Sequence, residues 1–173
     1  QTIEATKEQQ EGTNLSDTED LTDLVAEIIV KSDNETAEQI INEVNEIETD
    51  TNLSLKVISG ISVKDNEKLN ILSENNQEQI DLLAENAVNK AENTEEDSQL
   101  IANIVSVVND NLANKVVEEV NEAAQENDKE TLSAKVLKAI VDTEPEKIEI
   151  ISEENKKDLI ESAIDAAVNQ DEG

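Results

Sequence analysis

Leu, Ile, Val and Ala recur at intervals of three and four along most of this chain. Leu132, Val136, Leu137 and Ile140 form one stripe, Ile40, Ile41, Val44 and Ile47 a second, and Leu159, Ile160, Ala163, Ile164, Ala167 and Val168 a third. That spacing gathers the apolar side chains on one side of an α-helix. It predicts helices near residues 17–31, 34–48, 53–62, 65–73, 76–92, 95–109, 111–125, 129–141, 144–152 and 154–169. Start signals agree with the periodicity. Ser16 with Glu19, Ser32 with Glu35 and Thr143 with Glu146 have the spacing of a capping box, in which two side chains satisfy the free amides of a first turn. Pro145 falls in such a turn, where its missing N–H costs little. Two β-branched runs, "IVSVV" from Ile104 and "KIEIIS" from Lys147, have the composition of short strands. Their helical surroundings place them in helices instead. Residues 1–16 read as a polar N-terminal leader or linker, and the alternation in "TIEAT" leaves open a strand paired with another chain.

The pattern repeats at long range. "LSLKVISGIS" from Leu53 is echoed by "LSAKVLKAIV" from Leu132, and residues 53–76 match 132–155 at 11 of 24 positions, including Leu53, Ser54, Lys56, Val57, Lys68 and Asn76. Ile58 with Leu137, Leu69 with Ile148 and Leu72 with Ile151 exchange one aliphatic residue for another, so the apolar face is kept along with the letters. "IINEVNE" from Ile40 matches "VVEEVNE" from Val116 at an offset of 76, and "AVN" from Ala87 recurs at Ala167 at an offset of 80. Changes in offset of this size belong in loops. The reading is two copies of a unit of about 79 residues, 17–99 and 100–173. Repeated units of this kind bury their apolar faces by stacking on one another. The expected fold class is all-α: tandem helical repeats forming an α-solenoid-like stack or an elongated helical bundle.

Composition narrows what such a stack can do. Trp, Tyr, Phe, Met, Cys, His and Arg are all missing, so the core must be aliphatic and spread out. Against 13 Lys stand 43 acidic residues, a formal charge of −30. Such a surface repels nucleic acid and anionic membranes, and nothing in the chain has the length and apolarity of a membrane-inserted segment. The charge also opposes compaction until salt screens it, within about 8 Å at physiological ionic strength. A chain beginning at Gln1 reads as a processed product or a piece of something larger.

Chemistry is excluded more readily than assigned. Without His or Cys, neither a Ser–His nor a Cys–His pair can form, and zinc loses its imidazole and thiolate ligands. Gly12, Gly60 and Gly173 make no phosphate-binding loop, so no catalytic or cofactor-binding residue is assigned. Gly60 is matched by Ala139 and reads as a point of close helix packing. Calcium is the one ion with suitable ligands: Asp17, Glu19 and Asp20 in "DTED", and Glu95, Glu96 and Asp97 in "NTEED", offer carboxylates without EF-hand spacing. Asn14, Asn34 and Asn52 stand in glycosylation sequons.

These features point to a non-enzymatic structural or adhesive segment of a cell-surface or extracellular assembly, self-associating into filaments, with copies of itself or another protein as partner. A soluble α-solenoid scaffold holding a partner protein and an acidic Ca²⁺-binding module are the alternatives, and a cytoplasmic setting fits the scaffold.

Overall fold

The structure, a computed structural model, describes residues 15–47, 52–125 and 129–171, with the side chains of 15–20, 170 and 171 outside that description. Nearly all of the leader read from the sequence lies outside the described residues. Among these residues the protein is all-helical, with nine α-helices and no strand. They are α1 (Leu15–Lys31), α2 (Asn34–Glu46), α3 (Leu53–Lys64), α4 (Asn66–Asn75), α5 (Gln77–Lys90), α6 (Glu95–Val107), α7 (Asp110–Ala123), α8 (Leu132–Thr143) and α9 (Glu153–Asp171). The β-branched run at Ile104 ends α6, as its helical surroundings implied.

Local side chains fix where helices begin. Asp33 accepts from the Thr36 amide at 2.8 Å, Asp65 from Lys68 at 3.0 Å, Thr94 from Asp97 at 3.1 Å and Asn109 from Leu112 at 3.0 Å. Each satisfies one of the amides that a first turn leaves without an intrahelical partner. The cap expected at Ser32 therefore sits one residue later, on Asp33. The Ser32 hydroxyl is engaged in finishing α1, donating to the Ile28 carbonyl. Thr143 ends α8 and accepts from the Gln99 amide, so the expected box with Glu146 does not form. The Ser16 signal falls among side chains outside the description.

The expected helix at 144–152 is a single 3₁₀ turn, Pro145–Glu149. Glu144 precedes proline and adopts φ −150°, ψ 76°, outside the α region, close to the φ −160°, ψ 87° of Asp65, which precedes α4 with no proline after it. The three isoleucines of "KIEIIS" add χ1 restriction that a short helix cannot offset. Seventy-nine residues earlier the counterpart α4 has Leu69, Leu72 and no proline, and it is α-helical.

Packing arranges the helices in two rows. α1, α3, α6 and α8 touch in succession, as do α2, α5, α7 and α9, with α4 set between α3 and α5. One aliphatic cluster runs the length of the stack, from Ala26 and Ile29 through Leu55, Ile58, Leu83 and Ile104 to Ile151 and Leu159. Each buried Leu or Ile contributes about 1.5–3 kcal/mol, so the stack is held by many modest terms along its axis.

Gly60 shows how close the first row packs. A methyl group on its α-carbon would lie 2.7 Å from the Ala26 β-carbon, so α1 and α3 meet with no side chain between them. Gly60→Ala gains about 0.5–1 kcal/mol of helix propensity and loses about 1–3 kcal/mol to overpacking. The net expectation is a lower melting temperature, restored in large part by adding Ala26→Gly. A single Gly60→Ala variant that melts above the parent would contradict this packing.

Candidate interaction surfaces

Lysine and asparagine join successive helix pairs, the lysines through carbonyls at or just past helix C-termini and the asparagines through carbonyls in first turns. Lys68 Nζ donates to the Ser32 carbonyl at 2.8 Å and to Asn34 Oδ1 at 2.7 Å. Lys147 Nζ reaches the Val108 carbonyl at 3.4 Å, Lys129 Nζ the Asn89 carbonyl at 2.6 Å, and Lys135 Nζ the Asn93 carbonyl at 2.6 Å. An ammonium suits this place, where the helix dipole is negative and carbonyls lack partners. Asparagine amides bridge the second row: Asn45 donates to the Gln79 carbonyl at 3.0 Å and Asn121 to the Asn155 carbonyl at 3.0 Å. The abundant Lys and Asn therefore act as joints, a role their periodicity gave no hint of.

The calcium candidates fall in two places. Asp17, Glu19 and Asp20 lie on the first turns of α1, with side chains outside the description. Glu95, Glu96 and Asp97 form the first turn of α6, but Asp97 is turned inward and buried. Its carboxylate accepts from Asn52 Nδ2 at 3.1 and 3.3 Å and from the Glu92 amide at 2.7 Å. Asp97 thus ties the turn before α6 to the start of α3. Among the described residues no group of three or more Asp or Glu is arranged to hold a metal ion. Two of the sequon asparagines are occupied as well, Asn34 by Lys68 and Asn52 by Asp97.

An acidic groove of about 460 Å³ runs between α7 and α9, lined by Glu118, Glu122, Glu154, Asp158, Glu161 and Asp165. Asn121 sits at its wall, with a buried Oδ1 that has no hydrogen-bond partner. On the neighbouring face of α7, Glu119 is buried and pairs with Lys115 at 2.5 Å. Burial pushes the Glu119 carboxyl above the usual carboxylate range despite that partner, and burial likewise raises Asp81. The hydrogen bond to Glu119 raises Lys115 in turn, so its contribution is complete below the ordinary lysine value and lost as pH rises through the raised one.

Between pH 7 and 5 the raised carboxyls of Glu119 and Asp81 set the sign of the acid response. The lowered carboxyls of Glu27 and Asp33 act in the opposite sense mainly below their ordinary values. A raised carboxyl binds more protons folded than unfolded, so stability grows as pH falls from neutral toward the ordinary glutamate value of about 4.3. Urea unfolding at pH 5 should give a larger free energy than at pH 7, with a smaller gain in Glu119→Gln. Equal gains in the two proteins would remove Glu119 from the effect.

The two ends of the stack are the remaining surfaces. At one end α1 exposes Leu21, Leu24 and Ile28, and α2 exposes Ile47. At the other, α8 exposes Val141 while α9 exposes Ile160, Ile164 and Val168. The stripe read on α9 is thus split: Leu159 is buried and Ala163 partly so, whereas Ile160, Ile164, Ala167 and Val168 are exposed, and Ala166, outside the stripe, is buried. No helix among the described residues is long and apolar enough to cross a membrane. Comparison with known protein families, curated proteins and solved structures finds no match for this chain.

Proposed function

We propose that the chain is a non-enzymatic structural or adhesive helical-repeat segment of a cell-surface or extracellular assembly, built from two copies of one unit, 17–99 and 100–173. Its work is to stack aliphatic helix faces. The observation that carries this reading is the pair of aliphatic faces that, among the described residues, stand exposed at the two ends of the stack, Leu21, Leu24 and Ile28 at one and Ile160, Ile164 and Val168 at the other.

Corresponding joints support the two copies. Asn45 and Asn121 are 76 residues apart and donate to the carbonyls of Gln79 and Asn155, also 76 apart. Lys68 and Lys147 are 79 apart and reach the carbonyls of Ser32 and Val108, 76 apart. The caps Asp33 and Asn109 keep the 76-residue offset. A side-chain inventory without His, Cys, Arg or an aromatic favours adhesion over catalysis.

Light scattering and negative-stain microscopy test the reading, in low and high salt and with or without millimolar Ca²⁺. Extended particles that grow with concentration support it, and a compact monomer under every condition removes it. The groove between α7 and α9 favours a second reading, a scaffold that holds a basic segment of a partner protein. Recovery of one stoichiometric basic protein that is lost when Asp158 and Asp165 are changed to Asn would favour the scaffold.

A further inference from the structure

We infer that the partner of the two open ends is a second copy of this chain, docked head to tail, with the α8/α9 end of one molecule on the α1/α2 end of the next. The inference rests on the stacking reading above and names its interface.

The argument compares equivalent positions inside the stack and at its ends. α9 follows α5 at an offset of 76, the spacing of their first residues and of the Gln79 and Asn155 joints, so Ile160 and Ile164 stand where α5 has Ala84 and Val88. Both α5 residues are buried, and α7 packs against α5. Ile164 is 56% exposed and Val88 1%. α8 follows α3 at 79, and Val141 is exposed where Ser62 is buried beside α6. Among the described residues no helix covers α8 and α9 on this side, and Val141, Ile160 and Ile164 stand open there beside Lys138, which is paired with Asp142.

The opposite end carries the matching surface. α1 precedes α6 by 76 residues, which aligns Leu24 with Leu100 and Ile28 with Ile104. Ile104 is 1% exposed in α6, which packs on α3, whereas Ile28 is 44% exposed. Ile47, just past the end of α2, is 51% exposed and stands where Ala123 at the end of α7 is 2% exposed. The chain therefore already contains the interface in question: α3 and α5 on one side, α6 and α7 on the other. Docking α8 and α9 of one copy onto α1 and α2 of the next repeats it. Such a contact joins two different surfaces, so it leaves one open end on each side of a pair and adds further copies instead of stopping at a two-fold dimer.

Charge sets the condition for assembly. Copies carrying −30 each repel at low ionic strength, and salt shortens that repulsion while leaving apolar contact intact. Association should therefore strengthen with NaCl.

The test is sedimentation of the full chain over a concentration series in 0.05 and about 1 M NaCl, where the Debye length falls to about 3 Å, with two variants at exposed positions. Ile164→Lys blocks the α9 end and Leu24→Lys the α1 end, and both reduce net negative charge, so lost association is not added repulsion. Circular dichroism melts check that each variant folds as the parent does. The expected result is growth of the parent beyond dimers in high salt, each variant alone monomeric, and an equimolar mixture that stops at a heterodimer. A variant that still dimerises alone, or a mixture that stays monomeric beside an assembling parent, overturns the head-to-tail pairing and leaves the stacking reading in place. A parent that stays monomeric throughout overturns both.

Discussion

Ile58→Asp is expected to abolish cooperative folding. Ile58 is fully buried in α3, the helix that touches α1, α4, α5 and α6. Truncation to Ala alone costs about 2–5 kcal/mol through lost contacts and the cavity left behind. Aspartate adds a buried charge with no partner, worth several kcal/mol more, against a typical total stability of about 5–15 kcal/mol. Circular dichroism at 222 nm should show the helical signal lost or melting without cooperativity at 25 °C. The position 79 residues on, Leu137, supplies the control, since it lies at the open end of α8 and only partly covered. Leu137→Asp should keep a cooperative melt. Similar behaviour of the two variants would mean that the end of the stack is covered after all.

Asp97→Ala should produce the next largest loss. The substitution removes the acceptor for both the Asn52 side chain and the Glu92 amide, leaving donors at a buried site. Leaving buried donors unsatisfied around a lost charge costs about 3 kcal/mol, which for a chain of this size lowers the melting temperature by about 6–12 °C. Asn52→Ala removes one donor and should cost about 1 kcal/mol. Because the carboxylate holds the α6 start against α3, the loss should appear equally with and without Ca²⁺. A melting temperature of the parent that climbs with millimolar Ca²⁺, and does so only while Asp97 is present, would restore that residue as an ion ligand.

Much of the fold was legible because periodicity and burial coincide in a stack of short amphipathic helices. Leu132, Val136, Leu137 and Ile140 were read as one apolar face; the first two and Ile140 are fully buried, and Leu137 is partly so. Gly60 was read as a packing point from its match to Ala139, and Ala26 lies against it. Errors arose where a local signal met a stronger neighbour. Ser32 has the right spacing to cap α2, but Asp33 has the extended backbone and the carboxylate, so it takes the role. Pro145 was correctly placed in a first turn, yet the β-branched residues after it go with 3₁₀ geometry where an α-helix was read. Asp97 looked like a surface ligand because acidic first turns usually face water. The Thr94-x-x-Asp spacing was the available hint that this turn is built around a cap.

The letters alone determined that this protein is helical, aliphatic in its core, strongly acidic and poor in reactive side chains, since each of these follows from residue type and spacing. Which aliphatic residues lie inside was decided by the order of the rows. Val88 and Ile164 both lie on the apolar stripes of second-row helices; among the described residues α5 has a row neighbour on each side, α2 and α7, and α9 on one side only, α7, so the first is core and the second surface. Periodicity reports that a face is apolar; burial also requires a neighbour, and neighbours are fixed by the path of the whole chain.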